Sequence, residues 1–153
     1  MGKAGHPLRK VRVNFEPDVW HGRASETLWA EGIGDGKYRI RNTPFFAKGI
    51  GFLDVIKTKE DDEGLIYVST VLFSGHSTYR LSLLQPNNPS QFENCWKALQ
   101  ALGCTYESGA PEVNLLAVDV PPSADIHAVY GVLESGESDQ VWEFEEGHCA
   151  HSV

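Results

Sequence analysis

Apolar and polar positions follow two rhythms along this chain. In the first half they alternate. Val11-Arg12-Val13-Asn14-Phe15 alternates strictly, the period of a strand with one buried face. Residues 26–31 do so loosely, and Gly34-Asp35-Gly36 predicts a tight hairpin, because Asp-Gly tolerates positive φ. Residues 37–41 return as its partner strand. Pro44 interrupts, and Gly49 and Gly51 frame a second bend. Residues 52–58 and 65–73 read as two more strands, the latter rich in β-branched and aromatic residues. Between them Glu60-Asp61-Asp62-Glu63-Gly64 is an acidic loop. Short strands with frequent turns predict a curved antiparallel sheet or a small barrel.

After Ser77 the rhythm changes. Residues 78–84 predict a strand. Asn88 predicts an N-cap with Pro89 at the first helical position. Phe92, Trp96, Leu99 and Leu102 recur at helical spacing until Gly103. Residues 105–108 and 113–120 predict strands. After Pro121-Pro122, Ser123 is the expected N-cap of a helix carrying Ile126, Val129, Tyr130 and Leu133, with Gly136 as its stop. Residues 141–145 alternate as a final strand. Strand–helix–strand–strand–helix–strand is the ferredoxin-like βαββαβ order. The predicted class is therefore α+β, with a barrel-like part packed on a ferredoxin-like part. The expected divisions are 1–24 (a strand and loop), 25–76 (barrel-like), 77–147 (ferredoxin-like) and 148–153 (a tail). One sheet face should carry both helices, and the other must meet the barrel or a partner. Trp29, Trp96 and Trp142 fall on apolar faces and are expected in the core. Trp20, in a loop, has no burial pattern and is a candidate interface anchor.

Length and charge narrow the function. A chain of 153 residues fits one ordinary domain. A net charge of −8 argues against direct nucleic-acid binding through phosphate neutralisation. No apolar run reaches a membrane span. The start Met1-Gly2-Lys3 has no signal-peptide core, and His6 stands where a myristoylation motif needs Ser or Thr. Three cysteines, Cys95, Cys104 and Cys149, cannot all pair within one chain. A reduced, cytoplasmic chain is the simplest reading. All 13 Lys and Arg precede Ala98, whereas ten acids follow it, so the first 97 residues carry +2 and the rest −10. Such asymmetry suits either plain solubility or a partner of opposite sign.

Leu28-Trp29-Ala30-Glu31, Asn42-Thr43-Pro44-Phe45-Phe46-Ala47-Lys48-Gly49, Asp54-Val55 and Ser74-Gly75-His76-Ser77-Thr78 together resemble a bacterial family known as domain of unknown function 4265. The resemblance covers roughly residues 26–146. It implies a free-standing cytoplasmic protein of about this size and supplies no reaction or cofactor.

Two stretches carry candidate chemistry. In Ser74-Gly75-His76-Ser77-Thr78 an imidazole stands beside hydroxyls, able to bind an anion or move a proton. The plainer expectation is a turn whose hydroxyls and ring satisfy backbone groups, so that His76→Ala would cost about 1 kcal/mol, one lost hydrogen bond. Ser74, His76 and Ser77 are the candidate ligand residues. In His148-Cys149-Ala150-His151 zinc-type donors cluster without an obvious fourth, since His127 and Cys104 lie far off in sequence, and a frayed tail is expected. Gly32-Ile33-Gly34-Asp35-Gly36 and Gly49-Ile50-Gly51 lack the lysine and strand-to-helix context of phosphate loops. No metal, cofactor or catalytic residue is expected.

Three function classes fit: a binding protein for a basic partner, such as a bacterial immunity protein that neutralises a toxin; a small-ligand regulatory domain; and a hydrolase or transferase using His76. The first is preferred. Its expected partner surface is Glu134, Glu137, Asp139, Glu143, Glu145 and Glu146. Acids at a helix C-terminus oppose the macrodipole and cost about 0.3–1 kcal/mol, so local helix stability does not explain them.

Overall fold

The computed structural model describes residues 7–17, 22–109 and 114–153. Trp20, and the start of the strand predicted from Val113, lie outside them. The described residues are mostly β with two helices. Strands β1 (Leu8–Asn14), β2 (Ser25–Gly34), β3 (Lys37–Ile40), β4 (Val55–Asp61) and β5 (Gly64–Leu72) form a closed barrel in chain order. Each consecutive pair is antiparallel. The barrel closes through a short parallel contact, Val11 with Leu65 and Arg12 with Ile66. Val11, Leu28, Ala30, Ile40, Ile50 and Ile56 fill it. β1, expected outside the barrel-like part, is one of its staves.

The alternation in β2 sends Leu28 and Ala30 inward, so Trp29 points out. It is 44% exposed, with the Lys10 ammonium 5.4 Å from its ring, which corrects its expected core position. Asp35 (φ 56°) and Gly36 (φ 72°) make the expected β2–β3 turn.

The second sheet holds β6 (Ser77–Leu83), β7 (Thr105–Ser108), β8 (Leu115–Val120) and β9 (Trp142–His148) in the order β7-β8-β6-β9, every neighbouring pair antiparallel. Helices α1 (Pro89–Ala101) and α2 (Ile126–Ser138) share one core with Tyr79, Leu81, Leu116, Val118, Val120 and Trp142, and so cover one face. Asn88 caps α1 by accepting from Gln91 N, as expected.

α2 departs from expectation at both ends. Asp125, not Ser123, is the cap, accepting from His127 N and Ala128 N, because Pro121 to Ala124 is spent in a turn closed by Ala124 N donating to Pro121 O. Gly136 does not stop the helix. A Cβ there would lie 2.3 Å from the Trp142 ring, whose Nε1 donates to Leu133 O at 3.0 Å. The glycine makes room for a tryptophan.

The barrel covers the other sheet face through the segment 42–54. Arg80 Nη2 donates to Ala47 O, Thr78 Oγ1 donates to Ile50 O, and Gly49 N donates to Gly147 O. β9 is an edge strand.

Candidate functional site

The turn into β6 is built from its own hydroxyls. Gly75 adopts φ +93° and packs on Pro122, a backbone state that L residues with a Cβ rarely reach. Ser74 Oγ donates to Phe52 O at 2.6 Å, and His76 N donates to Ser74 Oγ. Asp54, fully buried, accepts from Gly51 N and Ser74 N. Ser77 accepts from Ala150 N at 2.8 Å and lies 2.6 Å from His151 Nδ1. His151 Nε2 must donate to Pro121 O, 2.9 Å away. In the neutral ring Nδ1 then accepts from the Ser77 hydroxyl. Both serines are thus engaged elsewhere, and neither is hydrogen-bonded to the His76 ring.

His76 instead meets a residue the sequence reading missed. Its Nδ1 donates to Asp119 Oδ1 at 2.8 Å and lies 3.0 Å from Oδ2. The ring stands edge-on to Phe52, and the imidazole and carboxylate are only 14% and 9% exposed. Burial raises the Asp119 pKa from its usual value, and His76 and then His151 pull it down again. Asp119 reaches His76 because β6 and β8 pair Thr78 with Asp119. A signal was present: Leu115-Leu116-Ala117-Val118-Asp119-Val120 is a buried apolar run holding one acid. A charge placed so is normally paired. In the neutral ring, with Nδ1–H committed to the carboxylate, Nε2 would carry the lone pair, the orientation of a general base. Among the described residues no hydroxyl or thiol is hydrogen-bonded to that nitrogen, so it would act on a bound molecule or water.

The expected tail is held in place. His148 ends β9 and stacks on Phe73, and Cys149 Sγ donates to His151 O at 3.5 Å. Among the described residues no three His, Cys, Asp or Glu side chains are grouped to hold a metal. Cys104, near Asp119, is buried, and desolvation pushes its thiol up to about 12. It is therefore a packing residue rather than a nucleophile.

The six acids gather around β9 but on different sides. Glu143 and Glu145 lie with Arg80 and Ser82 on the barrel-facing side, where Glu145 is 3.8 Å from Arg80 Nη1. Glu134 and Glu146 line a cavity on the helix side. Glu137, at the end of α2, accepts from Phe144 N, and Asp139 caps that helix. Arg80 is 1% exposed, its Nε and Nη1 have no hydrogen-bond partner, and it lies across Gly147.

No helix among the described residues is long and apolar enough to cross a membrane. No curated protein matches the sequence. A solved structure is similar in fold: a hypothetical protein from Neisseria gonorrhoeae, with a TM-score of 0.80 at 20% identity, covering 98% of this chain and 100% of that one. The family model described as a domain of unknown function matches residues 26–144, the barrel from β2 onward and nearly all of the second sheet with its helices, and the chain belongs to that family, DUF4265.

Proposed function

We propose that the protein binds a basic protein partner, and that it serves as a cytoplasmic immunity protein neutralising a cognate toxin. The observation that carries this reading is the placement of acids on both sides of the edge strand β9, Glu143 and Glu146 exposed and Glu145 half-buried, with Glu134, Glu137 and Asp139 of α2 and its cap beside it. Arg80, buried 3.8 Å from Glu145, is the counter-charge on the barrel-facing side, and Glu143 on the same strand is exposed. Complementary charge accelerates encounter and rejects wrong partners. The three free thiols suit a reducing compartment. We read the second sheet and its helices as ferredoxin-like, supported by the order β9-β6-β8-β7 with antiparallel neighbours and both helices in one core. Such a sheet also suits a small-ligand regulatory domain, by analogy of fold alone.

The test is affinity capture from the source cell followed by binding kinetics. Association should slow as salt rises, since the Debye length falls from ~10 Å at 0.1 M to ~3 Å at 1 M. Glu143→Lys with Glu145→Lys should weaken the complex at low salt. Normal binding by that double variant would refute the reading. The His76–Asp119 contact favours a second reading, a hydrolase or transferase that uses His76 as its acid–base group. Loss of a turnover in His76→Ala and in Asp119→Asn, with the fold retained, would support it.

A further inference from the structure

The helix-side acids frame a cavity of about 490 Å³ between α2 and β9, lined by Tyr79, Ile126, His127, Tyr130, Gly131, Glu134 and Glu146. Positions 126, 127, 130, 131 and 134 fall on one face of α2, three or four residues apart. The Tyr130 ring, 44% exposed, is fixed edge-on against Phe144. Tyr79 is 2% exposed, with its hydroxyl donating to Glu146 Oε1 over a long 3.4 Å. Burial first, then Cys149 and Glu146, raise its pKa.

Gly131 is the second observation. Glycine inside a helix costs about 1 kcal/mol relative to alanine. At Gly136 the Trp142 ring accounts for that cost, whereas at Gly131 nothing beyond its own neighbouring helix backbone lies within 4 Å of where a Cβ would stand. Nothing in the protein's own packing requires position 131 to be small, and Gly131 lines this cavity as well as a second one toward α1.

We propose that this cavity takes the alkylammonium or guanidinium head of a Lys or Arg side chain from the basic partner. This rests on the binding reading above and names the pocket within it. The aromatic face of Tyr130 attracts a cation, Glu134 and Glu146 supply the counter-charge, and the room over Gly131 admits the alkyl stem.

The experiment titrates the protein with N-acetylargininamide, N-acetyllysinamide, neutral N-acetylnorleucinamide and spermidine, following the amide shifts of Tyr130, Gly131 and Glu146 by NMR. Saturable, millimolar binding of the two cationic amides and none of the neutral one is expected. Gly131→Leu, which fills the space and improves helix propensity, should weaken it at least tenfold, as should Glu134→Gln with Glu146→Gln. Equal shifts from the neutral amide, no saturation, or wild-type binding by Gly131→Leu would overturn the proposal. Spermidine binding far tighter than either amide would assign the pocket to free amines and overturn the side-chain source. If Gly131→Leu binds the captured partner normally while the Glu143/Glu145 reversal does not, the pocket falls and the binding function stands. If the amides occupy the cavity but the reversal leaves partner binding intact, the function falls and the pocket stands.

Discussion

The two faces of the second sheet are buried by different means. Toward the helices, Tyr79, Leu81, Leu116, Val118 and Trp142 form a continuous apolar core. Toward the barrel, the same strands present Thr78, Arg80 and Asp119, all buried. The helix face gains from the area it removes from water and is indifferent to direction. The barrel face buries Leu115 and Ala117 as well, but it also buries charge. Its polar groups are matched by position: the docking of segment 42–54 supplies Ala47 O to Arg80 Nη2, Ile50 O to Thr78 and Gly147 O to Gly49 N, while Arg80 Nε and Nη1 stay without hydrogen bonds. The first face supplies stability, and the second fixes where the barrel sits and holds His76 beside Asp119.

Variants on each face test that contrast. The largest effect should come from Gly136→Ala on the helix side. Its new methyl would overlap the Trp142 ring, and overpacking should outweigh the helical gain by about 3 kcal/mol in chemical denaturation. Next, His76→Ala should cost about 2 kcal/mol, above the single hydrogen bond expected from sequence, because it leaves the buried Asp119 carboxylate unpaired. A cost under about 0.5 kcal/mol would mean that Asp119 is hydrated and the seam is wet.

Asp119→Asn sharpens the picture through pH. A carboxyl whose pKa is raised in the folded state binds its proton more tightly there than in the unfolded chain. Its contribution is therefore most favourable below the ordinary value of 3.8 and declines as pH rises through the raised one. Replacing it with Asn should remove that decline, so urea melts at stepped pH should show the variant gaining on the wild type as pH rises above 3.8. The smallest effect is expected from Arg80→Met. Two guanidinium nitrogens lack hydrogen bonds, and an apolar chain of similar length should change stability by less than about 1 kcal/mol. A large loss would mean that Arg80 is a strong contributor rather than a register device.

The strands and the first helix were legible because each is a local pattern. Alternation marks β1 and loosely β2, the Asp35-Gly36 turn gives β3, β-branched and aromatic content marks β5, and Asn88-Pro89 announces α1. Where the reading failed, the deciding partner was distant. Gly136 reads as a stop until Trp142 is seen beneath it. Ser123 reads as a cap until Pro121 to Ala124 is seen to close a turn. Trp29 illustrates the opposite error: residues 26–31 alternate only loosely, and its aromatic ring reads as core although Leu28 and Ala30 on either side take the buried face. Of the candidate site, His76 was legible and Asp119 was not, since only the pairing of β6 with β8 brings them together. His151 reads as a loose end because its partners, Ser77 and Pro121, are far upstream.

The closure of the barrel has a kinetic consequence. β1 and β5 meet through Val11 with Leu65 and Arg12 with Ile66, strands at opposite ends of the barrel sequence. Every other barrel pairing joins strands consecutive in the chain. Sequential pairings close short loops and form early, whereas the β1–β5 contact must wait until the whole meander exists. On a ribosome, β1 emerges first yet cannot seal the barrel until β5 has left the tunnel. The last step of folding and the first opening in native-state hydrogen exchange should share this seam, with the amides hydrogen-bonded across β1 and β5 exchanging ahead of those that bond β4 to β5.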